Sequence, residues 1–535
     1  MKKLFFLMAL AMMSVMAYAQ RPLITKWYAS SGVVKFRVIG GGTYTWEGTT
    51  MPMPGTGSTT VTGSGSFTSG LVTINVPTNV NQINLSITPT NTFRFIFENS
   101  GLTNEEVNRF SEISQWGDVK WNPALTNMFY NCYNLKITAT DIPNFSNVTD
   151  MSGLFYGCRS ITTIPNIGKW DTSSVTNMSK MFLQAQNFNG DLSGWDTSAV
   201  TNMSQMFYDA TKFNSDISKW NTGKVTNMAY MFQNAKSFNQ PLAAWNTANV
   251  TSMSGMFYGA TVFNQPLAAW NTANVTSMSG MFYGATVFNQ PIANWNTGKV
   301  TSMSSMFYNA DAFNQPLNTW DVSNVTNMSS MFYNASKFNQ PLDQWNVSKV
   351  YDFNSMFYNA SAFNQNIGMW KLFSATDYYS YIYTSSMLNN SGLDCINYGK
   401  TLQGWSSLNF SNPYKLTLGA QNLTYGTAAK PYRDALIAKG WTITGDYLDP
   451  DCNATLAIKE AKLSGTSLQV YPNPTSGLFK IKTTAVEVAT LYDYSGKLLK
   501  TQKLSAGENT MDISNLQNGI YLIKVGNDTS KIIKK

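Results

Sequence analysis

Residues 245–269 read WNTANVTSMSGMFYGATVFNQPLAA, and residues 270–294 repeat them with only two changes, at Leu267/Ile292 and Ala269/Asn294. The same frame extends on both sides. Tryptophan recurs at 170, 195, 220, 245, 270, 295, 320, 345 and 370, and valine at 175, 200, 225, 250, 275, 300, 325 and 350. A period of 25 residues held without a slip is the mark of a repeat architecture. Two less regular units precede it, around Met128-Phe129 and Met151–Phe155.

Within one unit, Val250, Met253, Phe257 and Ala260 lie at i, i+3, i+7 and i+10. That spacing predicts one face of a short helix, with Asn246-Thr247 supplying turn or capping chemistry before it. Pro266 and its equivalents at 241, 291, 316 and 341 cannot donate to a central ladder, which confines a predicted strand to Leu267–Trp270. One unit buries too little apolar surface to offset the entropy of ordering its residues. Stacked units bury both flanks, so an α/β solenoid is expected, with columns of Trp, Met and Phe through its core.

Other columns read the same way. Asn189, Asn214, Asn239, Asn264, Asn289, Asn314, Asn339 and Asn364 follow the column phenylalanine and predict an asparagine ladder that satisfies backbone groups at a bend. The Met-x-x-Met pairs read as core filler rather than a soft-metal site. Tyr208, Tyr258, Tyr283, Tyr308, Tyr333 and Tyr358 follow each Met-Phe, and Leu183 and Gln233 break the series. They are either inter-coil packing or an exposed aromatic stripe suited to a glycan or a protein.

Composition bounds the chemistry. The 535-residue chain has no histidine, 12% charged residues and no glutamate between Glu112 and Glu460. Histidine-based triads, histidine zinc sites and histidine general bases are excluded. The net charge of +8 is not a basic face: residues 170–369 hold eight Lys against nine Asp, whereas 468–535 holds nine Lys against five carboxylates. Nucleic-acid binding is not expected. No cofactor, metal ion or catalytic residue is expected either.

Met1–Ala19 reads as a secretory signal peptide, with Lys2-Lys3, an apolar run and Ala17-Tyr18-Ala19 before a cleavage point between Ala19 and Gln20. The run is too short to span a bilayer. No cysteine follows it to carry a lipid, and no transmembrane segment is expected elsewhere. In an exported chain, Cys395 and Cys452 are the pair read as a disulfide, while Cys132 and Cys158 are either bridged or small buried residues in a column.

The flanks divide the remainder. Residues 20–98 predict a β-sandwich module, with Met51–Gly70 as a mobile Gly/Thr/Ser/Pro loop. Residues 99–125 predict a helical cap, with Val107, Phe110 and Ile113 on one face of Asn104–Trp116. The array is assigned to 126–370, ending where Lys371 replaces the Asp or Asn after Trp. Residues 371–455 predict an α/β C-terminal cap with helices at Leu393–Trp405 and Ala428–Lys439 and a strand at Trp441–Thr444. Asp446, Asp449 and Asp451 lack calcium-loop spacing and read as solvated linker. Residues 456–467 are a linker, and 468–535 predict an all-β sandwich.

Two resemblances attach to these residues. The motif W-[DN]-T-x-x-V-T-x-M-S-x-M-F-Y-x-A, with the earlier Asn127-Met128-Phe129-Tyr130-Asn131-Cys132, resembles the BspA-like leucine-rich repeat surface proteins. This resemblance implies a right-handed leucine-rich-repeat-like solenoid, export and adhesion. The Y-P-N-P-T opening at Tyr471, the L-Y-D-x-x-G-K of 491–497, Asn518-Gly519-Ile520-Tyr521 and the basic end resemble the Bacteroidota type IX secretion sorting domain, type A. It implies passage across the outer membrane by that machinery, removal of the Ig-like domain, and release or anchoring at the cell surface. The expected function is therefore non-enzymatic adhesion or recognition of a protein or glycan. A passive stalk is the alternative, and an exported glycoside hydrolase using two carboxylates from the flanks is the remote one.

Overall fold

Alternation of period two organises the first hundred residues. In the computed structural model, which describes residues 20–52, 57–372, 382–408, 416–452, 469–493, 498–526 and 528–535, the strands β1 (Leu23–Tyr28), β2 (Val33–Ile39), β3 (Gly42–Thr50), β4 (Thr60–Phe67), β5 (Gly70–Asn75), β6 (Val80–Pro89) and β7 (Arg94–Ile96) all come from this part. They make a six-stranded sheet, β4-β3-β6-β1-β8-β9, and a three-stranded one, β5-β2-β7. The first sheet is completed by β8 (Phe110–Gln115) and β9 (Lys136–Ile137). Aromatic rings join the two sheets: Trp27 of β1 lies 5.2 Å from Phe36 of β2 and stacks on Phe110 of β8 at 4.5 Å.

Two expectations fail here for local reasons. The predicted mobile loop of Met51–Gly70 contains β4, which pairs with β3 residue by residue from Gly42↔Phe67 to Thr49↔Thr60. Its glycines are not punctuation. A Cβ on Gly63 would meet the Trp46 ring at 2.5 Å, and one on Gly65 the Tyr44 hydroxyl at 2.5 Å. Each glycine makes room for a cross-strand aromatic. The predicted helix of Asn104–Trp116 is only α1 (Asn104–Asn108), capped by Thr103 and Glu106 in a reciprocal box. Phe110 and Ile113 belong to β8, whose register shifts against β1 turn two residues spaced by three to the same buried side.

The repeat region corrects the principal expectation. Among the described residues the chain is built of strands in several small separate sheets, and no α-helix lies between α1 and α2 (Cys395–Ser406). The α/β solenoid does not fit, and the leucine-rich-repeat-like right-handed coil with a helix in each unit goes with it. Val250, Met253, Phe257 and Ala260 are all fully buried, but they sit in consecutive turns. The cause is two left-handed residues per unit, such as Gly255 at φ 58° and Gly259 at φ 64°, with Ser305 and Asn309, then Ser330 and Asn334, in equivalent places. A right-handed helix cannot pass through such residues. The predicted strand at Leu267–Trp270 is likewise a turn, closed by Trp270 N–H donating to the Leu267 carbonyl at 3.1 Å.

The backbone groups are satisfied in an alternating pattern. The N–H groups of Met253, Gly255, Phe257 and Gly259 donate to Ser277, Ser279, Met281 and Tyr283 of the following coil at 2.6–3.3 Å. Those of Met256, Tyr258 and Ala260 close turns within the coil. One parallel bridge per coil links Ala124, Asp150, Asn177, Asn202, Asn227, Ser252, Ser277, Ser302, Asn327, Asp352 and Tyr383.

The column also outlasts Lys371. Phe357 and Asn359 donate to Met387 and Asn389, and Leu388 and Asn390 donate to Gly419 and Gln421. Ser386 and Asn390 are again left-handed. The stretch Thr384–Asn390 thus continues the coils, and Thr384-Ser385-Ser386-Met387-Leu388-Asn389-Asn390 echoes Met328-Ser329-Ser330-Met331-Phe332-Tyr333-Asn334. Beyond it, α2 and α3 (Lys430–Ala438) pack together beside two short parallel pairs. These are β10 (Thr417–Gly419) with β12 (Thr442–Thr444), and β11 (Thr424–Tyr425) with β13 (Tyr447–Leu448). Asp446 is not solvated linker: its carboxylate is fully buried, paired with Arg433 at 2.7 Å and accepting from the Tyr398 hydroxyl at 3.0 Å.

The chain divides into two compact units, residues 1–452 and 453–535. The second holds β14 (Gln469–Tyr471), β15 (Leu478–Thr483) and β18 (Gly507–Asp512) in one sheet. Its other sheet has the order β17 (Leu498–Leu504), β16 (Glu487–Asp493), β19 (Gly519–Val525) and β20 (Asp528–Lys534). Phe479, Ile481, Leu491, Met511 and Ile523 fill the core between them.

The signal-peptide reading of 1–19 with its cleavage residue Ala19, the linker 456–467 and residues 494–497 of the L-Y-D-x-x-G-K motif lie outside the described residues. Gln20, the other half of the predicted cleavage pair, is the first residue described. It is exposed and precedes β1, and its Nε2 donates to the Asp118 carbonyl at 3.1 Å. The neighbouring Arg21 pairs with the Asp118 carboxylate at 2.8 Å. Gln20 is therefore held by its side chain against the turn after β8.

Candidate recognition surfaces

The left-handed residues at 255 and 259 set the direction of the side chain between them. Tyr258 closes a turn onto the Gly255 carbonyl at 3.0 Å, and its ring leaves the core that Phe257 enters. Repetition then aligns the rings. Tyr258, Tyr283, Tyr308, Tyr333 and Tyr358 form a column with centroid separations of 4.1, 4.3, 4.4 and 4.7 Å and planes within 7° of parallel. Each contact contributes about 0.5–1.5 kcal/mol beyond its buried area. Tyr208 stands apart from the column, and its hydroxyl accepts from Gln233 Nε2 at 3.2 Å. Tyr130 and Tyr156, which the repeat frame did not single out, make a tilted pair at 4.7 Å in the earliest coils. The signal for them was Phe129-Tyr130 and Phe155-Tyr156 in the two less regular units.

The rings of the column are partly exposed, but their faces cover one another. What faces outward is a row of ring edges and hydroxyls at one per coil. Burial first, and the neighbouring tyrosines after it, push the hydroxyls of Tyr283, Tyr308 and Tyr333 above the ordinary tyrosine range. These groups are therefore neutral donors and acceptors at physiological pH.

Polar ladders flank and brace the column. Asn314 N–H donates to Asn289 Oδ1 at 2.9 Å and Asn339 N–H to Asn314 Oδ1 at 2.9 Å, and the series runs from Asn189 to Asn364 and on to Asp394. Gln315 Nε2 adds a second bond to Asn289 Oδ1 at 3.0 Å. The asparagine ladder read from the sequence is present. A second one follows the tyrosines, with Asn334 Nδ2 on Asn309 Oδ1 at 2.9 Å. Inside, each indole from Trp195 to Trp370 donates to a carbonyl of the preceding coil, as Trp295 Nε1 does to Leu267 at 3.0 Å.

A second surface lies on the six-stranded sheet. An open groove of about 560 Å³ is lined by Lys26, Thr45, Glu47, Thr62, Asn84 and Ser86 among others. Lys26 pairs with Glu112 at 2.7 Å. Burial raises the Glu112 pKa, but its bonds to Lys26 and Thr138 outweigh burial and hold it below the usual carboxylate value. Among the described residues of the lining Glu47 is the one carboxylate, where two-carboxylate glycoside hydrolysis requires a pair. Gln20 lines neither this groove nor the tyrosine column.

The cysteines divide by environment. Cys395 and Cys452 form a disulfide with Cα atoms 6.1 Å apart, tying α2 to the end of the first unit. Cys132 and Cys158 are free and fully buried, and burial drives both thiols well above their ordinary pKa. Cys158 Sγ donates to the Phe129 carbonyl at 3.1 Å. Such thiols are inert. Among the described residues no cluster of three metal-ligating side chains occurs.

A stacked repeat array followed by a separate two-sheet tail defines the class of protein. The family described as "Mycoplasma protein of unknown function, DUF285" matches residues 123–242, 214–301 and 287–394, just over half of the chain, and the chain belongs to it. Residues 469–535 match the "Secretion system C-terminal sorting domain". No curated protein and no solved structure matches the chain. The protein is exported by type IX secretion across the outer membrane, to the cell surface or the extracellular space, and its tail engages that machinery. No helix among the described residues is long and apolar enough to cross a membrane.

Proposed function

We infer that the exported chain is a non-enzymatic recognition protein, an adhesin that binds glycan or protein outside the cell. The observation that carries this reading is the tyrosine row, in which partly exposed hydroxyls and ring edges recur once per coil in register. A row of neutral donors and acceptors on aromatic edges suits a partner that offers hydroxyls or amides repeatedly along its length. The open polar groove of the six-stranded sheet supplies a second contact of the same character. Kinship with the BspA-like surface proteins is part of this reading, supported by the DUF285 match over the residues that carry the motif.

A spacer is the second reading, favoured by the consumption of the ring faces in stacking. Substitution of Tyr283, Tyr308 and Tyr333 by phenylalanine separates the two, because stacking survives and only the hydroxyls go. The full chain should bind members of a glycan array or immobilised matrix proteins. The triple variant should bind about tenfold more weakly at an unchanged melting temperature. Silence of the parent chain, or undiminished binding by the variant, would establish the spacer instead.

A further inference from the structure

The two sheets of the C-terminal unit present unlike outer faces. That of β14-β15-β18 is balanced in charge, with Lys480 paired to Glu508 at 2.6 Å and Lys482 opposite Glu508 in register, and its exposed apolar residues, Leu478 and Tyr471, stand on different strands beside these charges. That of β17-β16-β19-β20 is not. Its outward positions place Tyr492 between Leu498 and Leu522, and Ile520 beside Ile533. Val488 extends the patch along β16. Leu498 is 52% exposed, Val488 50% and Ile520 40%. A small soluble domain rarely leaves such a row open without a partner for it. The same face carries Lys503, Lys524 and Lys531, and among its described outward positions no carboxylate.

An apolar centre with a rim of one charge is the anatomy of a protein interface whose partner has an apolar ridge and an acidic border. The domain match already makes this unit a sorting signal. We propose that the outer face of the four-stranded sheet, centred on Tyr492, Leu498, Ile520 and Leu522, is the surface by which the tail docks on an acidic-rimmed protein of the export machinery. Recognition then reads a surface patch of a folded domain. The lysines steer and orient the encounter, and the apolar row holds it.

The test uses the full chain expressed in a host with a working type IX system, with the exported and periplasmic fractions measured. The substitutions Leu498→Thr, Ile520→Thr and Leu522→Thr together keep strand-forming residues while removing the apolar row. They should lower the exported fraction about tenfold or more, the loss expected for hot-spot residues. Lys503→Glu, Lys524→Glu and Lys531→Glu together should lower it as well, and Leu478→Thr with Lys482→Thr on the opposite sheet should not. Should the apolar variant fail to fold by thermal melting, the lysine variant decides, because it leaves the core and the row intact. Normal export of the lysine variant, an equal loss in the opposite-sheet variant, or a concentration-dependent dimer abolished by the apolar variant with export unchanged would each overturn the assignment.

Discussion

The coil array and the N-terminal sheets share one continuous buried core yet satisfy their backbones in opposite ways. In the sheets each strand finds a partner through period-two alternation and long registers, such as Leu23↔Ile87 to Tyr28↔Gln82. In the described coils after β9 no strand exceeds a single bridge, and alternate N–H groups reach the next coil while those between close turns. A sheet can therefore use unlike residues at each register position. A coil needs near-identity above and below, because the bonds and stacked rings between coils join fixed positions of one unit to fixed positions of the next, as Met253 N–H to the Ser277 carbonyl and Tyr258 to Tyr283. The repetition of 245–269 in 270–294 is the chemical consequence.

The largest way to break this comparison is to remove a column member. Trp295→Ala should cost about 3–5 kcal/mol, and Trp27→Ala in the sheets about the same. The array variant should show a second, earlier transition by calorimetry, since a gap in one coil is felt by both neighbours; a single transition would blur the contrast. Next comes the asparagine ladder. Asn289→Ala leaves the Asn314 N–H without its acceptor and the Gln315 amide with only the backbone carbonyl of residue 289, and should cost about 1–3 kcal/mol in denaturant unfolding. Gly284→Val places a β-branched residue at φ 64°, where its Cβ would be in ordinary contact with the Gly259 backbone at 3.7 Å. It should cost about 1–3 kcal/mol through backbone strain alone, and Gly284→Asn much less, because Asn occupies the same column at 309 and 334.

The smallest effect is acid sensitivity. Asp196 and Asp321 are held below the usual carboxylate range by hydrogen bonds from Ser198 and Ser323 two residues on, and Asp191 and Asp216 likewise by Ser193 and Ser218. A depressed folded pKa contributes stability that is present above the unfolded value, about 3.9, and is lost as pH falls through the folded one. The array should therefore melt lower below about pH 4 and be flat from there to neutrality. Tm measured against pH, with Asp196→Asn and Asp321→Asn flattening the acid limb, checks this.

Which parts of this could be read in advance follows from the same contrast. The core positions were legible, since burial depends only on which side chains are apolar and how they recur: Val250, Met253, Phe257, Phe263, Leu267 and Trp270 are all buried. The conformation was not. A run of turns with left-handed residues at 255 and 259 buries the spacing i, i+3, i+7 just as a helix does, and the small or amide residues at most places in those two columns are its one sequence mark, which Lys180, Asp209 and Tyr230 interrupt. Register shifts concealed β8 in the same manner, and cross-strand rings over Gly63 and Gly65 concealed β4. The contact of Gln20 with Asp118 spans 98 residues, and no local pattern announces a bond of that reach. At the candidate site, the tyrosine positions were legible from the repeat, whereas the stacking of face on face needed the spacing between coils. The outer face of the sorting unit was invisible, because alternation along 487–493 and 519–525 does not say which apolar residues lie outward until the pairing is known.

Excision of one complete coil tests the central claim, that register between coils holds the array, most directly. Removing residues 270–294 joins Ala269 to Trp295 and leaves every column in step, whereas removing 270–293 shifts all later columns by one residue. Thermal unfolding of the two shortened chains should show the first melting cooperatively near the parent and the second losing its transition over the coils. Equal melting of the two would contradict the account.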